Sequence, residues 1–101
     1  MAHILQVDFT MEGPFGEEMA AAFHDLAVSI REEDGFQWKI WTENPDTKEA
    51  GGIYVFDTKD AAEKYLDMHT KRLAQFGITD VRSKVFAINE TLTKVTDGPV
   101  E

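Results

Sequence analysis

Residues 36–56, "FQWKIWTENPDTKEAGGIYVF", decide the fold. The side chains alternate from Phe36 to Glu43, with Phe36, Trp38 and Ile40 on one face and Gln37, Lys39 and Trp41 on the other, which is the period of a strand. Asn44-Pro45-Asp46 is turn chemistry, because proline presets its own dihedral and Asn or Asp bonds to nearby backbone. The chain then returns from Gly51 to Phe56 as a second strand, so the stretch predicts an antiparallel hairpin.

On the C-terminal side, Asp57-Thr58 offers a helix cap. Asp60 to Phe76 carries Ala62, Leu66, His69, Leu73 and Phe76 on one stripe, and Gly77 is a natural left-handed stop. Thr79 to Asn89 reads as a strand with Val81, Ser83, Val85 and Ala87 opposite Arg82, Lys84, Phe86 and Ile88. On the N-terminal side, Asp34-Gly35 closes a helical stretch from Phe15 to Arg31 whose Met19, Phe23, Leu26, Ala27 and Ile30 share a face. Gly13-Pro14 separates it from a first strand, His3 to Thr10, in which Leu5, Val7 and Phe9 oppose Ile4, Gln6 and Asp8.

The order β-α-β-β-α-β predicts an α+β, ferredoxin-like fold: a four-stranded antiparallel sheet with two helices on one face. A chain of 101 residues is expected to form a single domain over 1–101, with residues 91–101 a short helical turn and a loose peripheral tail. If Leu5, Val7 and Phe9 face the helices, the second sheet face holds Ile4, Gln6 and Asp8. Trp41, Tyr54 or Ile53, and Phe86 or Ile88 compete for the same face, a mixed surface that suits a partner sheet and predicts a homodimer.

Ten Lys and Arg against 19 Asp and Glu give a formal charge of −9, which repels phosphate backbones and anionic lipid surfaces. Nucleic acid and membrane are therefore not expected partners. The chain has no cysteine, which excludes disulfides, thiolate metal sites and a cysteine nucleophile. The opening MAHILQVDFT lacks the basic and long apolar regions of a secretory signal, so a cytoplasmic location is expected.

No glycine-rich phosphate loop is present, because Gly51-Gly52 lies inside a strand. His3, His24 and His69 lack the spacing of a metal site, and Ser29 and Ser83 lack the strained turn of a hydrolase nucleophile. Neither a metal nor a dinucleotide is expected.

The strongest candidate wall of a site is Lys39 with Trp41, a cation beside a flat apolar surface, which suits an anionic or phenolic aromatic ligand. Gly52 leaves a gap for a ligand or a partner's side chain, and Tyr54 stands beside it on the same face. On this parity Trp38 is core under the helices and the Lys39, Trp41, Gly52, Tyr54 wall belongs to the dimer face. Across that face Asp8 and Arg82 are placed to pair, while His69 sits within an apolar stripe.

Gly35-Phe36, Lys39, Trp41, Asn44-Pro45 and "EAGGIYVFDTKDAAEKYL", Glu49 to Leu66, resemble the YdhR-like monooxygenase family of the dimeric α+β barrel superfamily. The resemblance covers essentially the whole chain. It implies a homodimer joined through the open sheet faces and a pocket in each subunit. Cofactor-independent oxidation of a small phenolic or quinol-type compound by molecular oxygen follows from the same resemblance. Relatives also include isomerases, decarboxylases and ligand sensors, so binding of a small aromatic ligand without turnover is the alternative. In such a reaction Lys39 or Arg82 would stabilise negative charge, Trp41 and Tyr54 would pack the ring, and Asp8 or a histidine such as His69 would accept the proton.

Overall fold

The structure, a computed structural model, describes residues 1–100. Strand β1, His3–Thr10, is followed by helices α1, Gly16–Ala22, and α2, His24–Ile30. The hairpin β2, Phe36–Asn44, and β3, Glu49–Phe56, leads into the long helix α3, Lys59–Gln75. Strand β4, Arg82–Ala87, and the short helix α4, Glu90–Val95, complete the chain. The four strands lie in the order β2-β3-β1-β4 and every neighbouring pair is antiparallel. This is the ferredoxin-like α+β arrangement.

Local chemistry sets the boundaries. The Asn44 Oδ1 accepts the backbone N–H groups of Asp46 at 3.1 Å and Thr47 at 3.3 Å, closing the hairpin turn. The Thr58 hydroxyl accepts the Ala61 N–H at 3.1 Å and caps α3, and Gly77, at φ 83, lets the Gly77 and Ile78 N–H groups fold back on Ala74 and Leu73 carbonyls. Strand β4 starts at Arg82 rather than Thr79 because Asp80 takes over the ladder. Its carboxylate accepts the Thr10 N–H at 3.2 Å, where a backbone carbonyl would otherwise stand.

The helix expected over Phe15 to Arg31 is instead two, broken at Phe23. The break lets the Phe23 ring stack on Trp41, centroids 6.3 Å apart, while α2 continues and buries Ile30 in the core. Phe76, expected on the α3 stripe, follows the last helical residue and is exposed; Tyr65 takes its place among the buried positions with Ala62, His69 and Leu73.

Leu5, Val7 and Phe9 of β1 point to the helices and are buried. Opposite them in register stand Tyr54, Gly52 and Ala50 of β3, which therefore share the helix face. Strand β2 reverses the expected parity. Phe36 pairs with Phe56, but Trp38 pairs with Val55, so Gln37 is an extra residue, a β-bulge. Beyond the bulge Lys39 faces Tyr54 and Trp41 faces Gly52 across the hairpin.

Lys39, Trp41, Gly52 and Tyr54 thus lie together under the helices, not on the open dimer face. Trp38, expected under the helices, stands on the far face. It packs with Ala2, Ile4, Val55, Ile88 and Val100, and its indole N–H donates to the Pro99 carbonyl at 2.9 Å. The segment after α4 therefore returns to the sheet through Gly98–Val100; Glu101, the end of the expected tail, lies outside the described residues. No helix among the described residues is long and apolar enough to cross a membrane.

Candidate functional site

A cavity of about 660 Å³ lies between the helix face of the sheet and the helices. That volume falls within the ~300–1,000 Å³ typical of small-molecule sites. Its floor is Phe9, Lys39, Trp41, Ala50 and Tyr54. Its roof is Met19, Phe23 and Leu26 from α1, the break and α2, with His69, Arg72 and Leu73 from α3. The wall is apolar apart from a few groups, chiefly Lys39, Arg72, His69 and the Tyr54 hydroxyl, with Glu12 at its edge.

Lys39 is placed by Gly52. A Cβ on Gly52 would overlap Lys39 Cε and would stand 3.2 Å from both Nζ and the Tyr54 ring. The missing side chain is therefore filled by the lysine stem, which crosses the hairpin and lies flat on the sheet. The Nζ sits 3.3 Å from the centre of the Trp41 ring and 4.5 Å from that of Tyr54. The neighbouring glycine has a different role: a Cβ on Gly51 would run into the Val7 carbonyl and come within 2.8 Å of the Asp8 Cα, so Gly51 permits the close approach of β3 to β1.

No carboxylate pairs with Lys39 among the described residues. Burial, and next the positive charge of Arg72, bring its pKa down from 10.5 to about 7. The two aromatic faces act in the other direction, since they attract the ammonium. That attraction is about 2 kcal/mol for a desolvated cation, about 1.5 pKa units, and offsets only part of the fall from 10.5 to about 7.

Arg72 is the second cation. Its Nη2 donates to His69 Nδ1 at 2.9 Å and to the Tyr65 hydroxyl at 3.2 Å, and its buried Nε has no partner. Because a guanidinium only donates, His69 Nδ1 is the acceptor and its hydrogen resides on Nε2. Burial, then the charges of Arg72 and Lys39, lower the His69 pKa to about 3, so the ring is neutral at physiological pH. The Tyr65 hydroxyl donates to that of Tyr54 at 3.4 Å. Burial raises the pKa of both phenols, Tyr54 the more strongly, and keeps them protonated.

Of the expected site residues, Lys39, Trp41, Gly52, Tyr54 and His69 come together around the cavity. Asp8 and Arg82 do not. They pair with each other at 3.2 Å on the open face, where Arg82 also meets Glu49 at 3.2 Å, in contact with solvent and separated from the cavity by the sheet. They are ordinary surface ion pairs.

Sequence reasoning missed Arg72 and Tyr65, although a signal was present. Tyr65, His69 and Arg72 stand at i, i+4 and i+7, which places all three on one side of α3. The one carboxylate on the cavity wall, Glu12, turns toward Lys48 at 3.9 Å. No group of three His, Asp or Glu side chains suited to a metal occurs among the described residues.

The model of the family described as "Putative mono-oxygenase ydhR" matches residues 4–99. No curated protein sequence matches the chain. Among solved structures, SnoaB, a cofactor-independent oxygenase from Streptomyces nogalater crystallised as a point mutant, is similar with a TM-score of 0.62 and 17% identity. The match covers 87% of this chain and 93% of that one. A "putative antibiotic biosynthesis monooxygenase" from Deinococcus radiodurans is similar with a TM-score of 0.55 and 17% identity, covering 88% of this chain and 93% of that one. At these identities the two structures establish the shared fold.

Proposed function

Because the chain belongs to the ydhR mono-oxygenase family, we propose that it is a cofactor-independent monooxygenase that binds a small acidic aromatic compound, a phenol or quinol, and oxidises it with molecular oxygen. The observation that carries this reading is the apolar, aromatic-walled cavity holding Lys39 and Arg72, with no carboxylate among the described residues directed at either. In a protein of net charge −9, two cations brought together in a largely apolar cavity favour a ligand that is, or becomes, an anion. The oxygenase SnoaB shares the fold and adds support for the reaction type.

Each group has a role in this reaction. Trp41 and Phe23, stacked on each other, form one aromatic wall of the ring site. Lys39, its pKa lowered toward 7 by burial, accepts the phenolic proton and then lies beside the phenolate as an ammonium. Arg72 remains charged throughout and stabilises the same anion, held in position by His69 and Tyr65. Neutral His69 is a poor base and acts as the acceptor that orients Arg72. The ionised ring reduces oxygen itself: a phenol and O₂ give a quinone and water, the phenol supplying all four electrons. The protein contributes orientation, proton transfer and exclusion of bulk water.

The protein is also proposed to be a homodimer joined through the open sheet face, where Ile40 is 53% and Phe86 48% exposed beside half-buried Ile4 and Ile53. The pocket in this arrangement is built within each subunit, behind the interface. Oxygen uptake with a panel of phenols and hydroquinones, with product mass and isotopic oxygen incorporation, tests the oxygenase reading. Binding without oxygen uptake across the panel favours a ligand-binding protein without turnover.

A further inference from the structure

Lys39 differs from every other lysine of the chain. Lys48, Lys59, Lys64, Lys71, Lys84 and Lys94 are all exposed, whereas the Lys39 stem is folded into the cavity over Gly52 and its amine lies against the Trp41 and Tyr54 rings. No acidic side chain pairs with it among the described residues, and the charge packed nearest from α3 is another cation, Arg72. A lysine desolvated in an apolar pocket beside a second cation is the arrangement that makes an amine a nucleophile. The oxygenase reading uses this amine only as a base.

We propose that Lys39 is a carbonyl-capturing residue, condensing through Nζ with aromatic aldehydes that enter the cavity. The geometry fits the two requirements of the step. The cavity is large enough for a substituted ring and its wall is aromatic, so a benzaldehyde-sized compound is held with its carbonyl at the amine. The amine stands in a space that is open on the cavity side, with Tyr54 below it on β3 and His69 and Arg72 above it on α3. The nitrogen lone pair forms a bond to the carbonyl carbon while one amine proton passes to the carbonyl oxygen. The second amine proton leaves with that oxygen as water, and a C=N bond remains. No electrons are gained or lost.

The proposal does not depend on oxygenase activity, and its test reads a covalent bond instead of turnover. The folded protein is incubated at pH 7 with benzaldehyde and sodium cyanoborohydride, which reduces an imine to a stable secondary amine, and then analysed by intact mass and peptide mapping. The expected result is one benzyl group per chain, located on Lys39 and formed at least ~10-fold faster than on any surface lysine, because an ordinary lysine near pKa ~10.4 is almost wholly protonated at pH 7.

Lys39→Arg, which keeps the charge and cannot form an imine, is expected to lose the addition while keeping the wild-type circular dichroism. Arg72→Met is expected to slow labelling of Lys39 at pH 7 by several-fold and to regain the wild-type rate at pH 9, which a general loss of structure would not do. Label spread over the exposed lysines and the Met1 amine overturns the proposal, as does equal labelling of Lys39→Arg.

Discussion

Gly51 and Gly52 are adjacent in one strand, yet alanine at the two positions is expected to have opposite consequences. At Gly52 the added methyl meets Lys39 Cε, part of a flexible side chain that can swing out of the cavity. The substitution gains about 0.4–1 kcal/mol by restricting the unfolded chain, and the loss of about 2 kcal/mol of cation–ring attraction is largely offset by returning the buried ammonium to water. Net stability should therefore change by less than about 1 kcal/mol, a shift in Tm within about 8 °C for a domain of this size.

At Gly51 the methyl meets the Val7 carbonyl and the Asp8 Cα, which are backbone of the central strand β1 and cannot move without breaking the β1–β3 ladder. Overpacking of that kind costs about 3 kcal/mol or more, so Gly51→Ala should lose at least about 12 °C of Tm or fail to accumulate as folded protein. Thermal unfolding followed by near-UV circular dichroism measures both, and phenol binding is then measured on Gly52→Ala. That variant should fold and yet bind an acidic phenol at least about tenfold more weakly, since the ammonium no longer reaches the cavity. Equal destabilisation by the two alanines, or unimpaired binding by Gly52→Ala, would refute the assignment of Gly52 as the seat of Lys39.

Folded Lys39 titrates near about 7 and unfolded Lys39 near its ordinary value of 10.5, so between these values the unfolded chain holds a proton that the folded chain lacks. Stability should accordingly rise from pH 7 toward pH 9, and Lys39→Met should flatten that slope in Tm measured against pH. His69 gives the acid counterpart: with a folded value of about 3 against 6.5, stability should be lost as pH falls from ~6.5 toward 3, and His69→Gln should be less acid-sensitive over that window. Phe86→Glu places a charge on the exposed apolar part of the open face and should convert a dimer to a monomer in light scattering, with a lower Tm that no longer depends on protein concentration. Asp8→Asn and Arg82→Gln alter only the exposed ion pairs among Asp8, Arg82 and Glu49 and should leave phenol binding unchanged within about twofold.

The sequence makes most of this fold legible because the deciding signals are local. The alternation of His3–Thr10 reports the correct faces, since no irregularity interrupts β1 and Leu5, Val7 and Phe9 are all buried. Asn44-Pro45 and Gly77 act through their own dihedrals and side-chain hydrogen bonds, and the hairpin and helix stop fall where they predict. Parity counting from Phe36 fails, by contrast, because the bulge at Gln37 adds one residue to β2 and reverses every later side chain.

No glycine or proline marks that bulge. Its trace is the Gln37 amide, which leaves the face alternation and donates to Asp57 Oδ1 at 2.7 Å, a contact visible only after the chain has folded. The grouping of Lys39, Trp41, Gly52 and Tyr54 survives the reversal because β3 pairs with β2 beyond the bulge, so the members stay together while the face they occupy changes. Asp8 and Arg82 were separated from that group for the same reason. Arg72 escaped notice because an arginine beside an apolar stripe ordinarily covers it from the solvent side. Here Tyr65 and His69 turn it inward by accepting its hydrogen bonds.

In the proposed reaction Lys39 and Arg72 ionise an acidic aromatic ligand inside the cavity. Ultraviolet–visible titration of a phenol whose phenolate has a distinct absorption band, bound to excess protein under nitrogen, tests it most directly. The bound phenol is expected to show its phenolate spectrum at least about one pH unit below its value in water, and Lys39→Met and Arg72→Met are each expected to diminish the shift. A bound phenol that remains neutral to its ordinary pKa, or a shift unchanged in both variants, would contradict it.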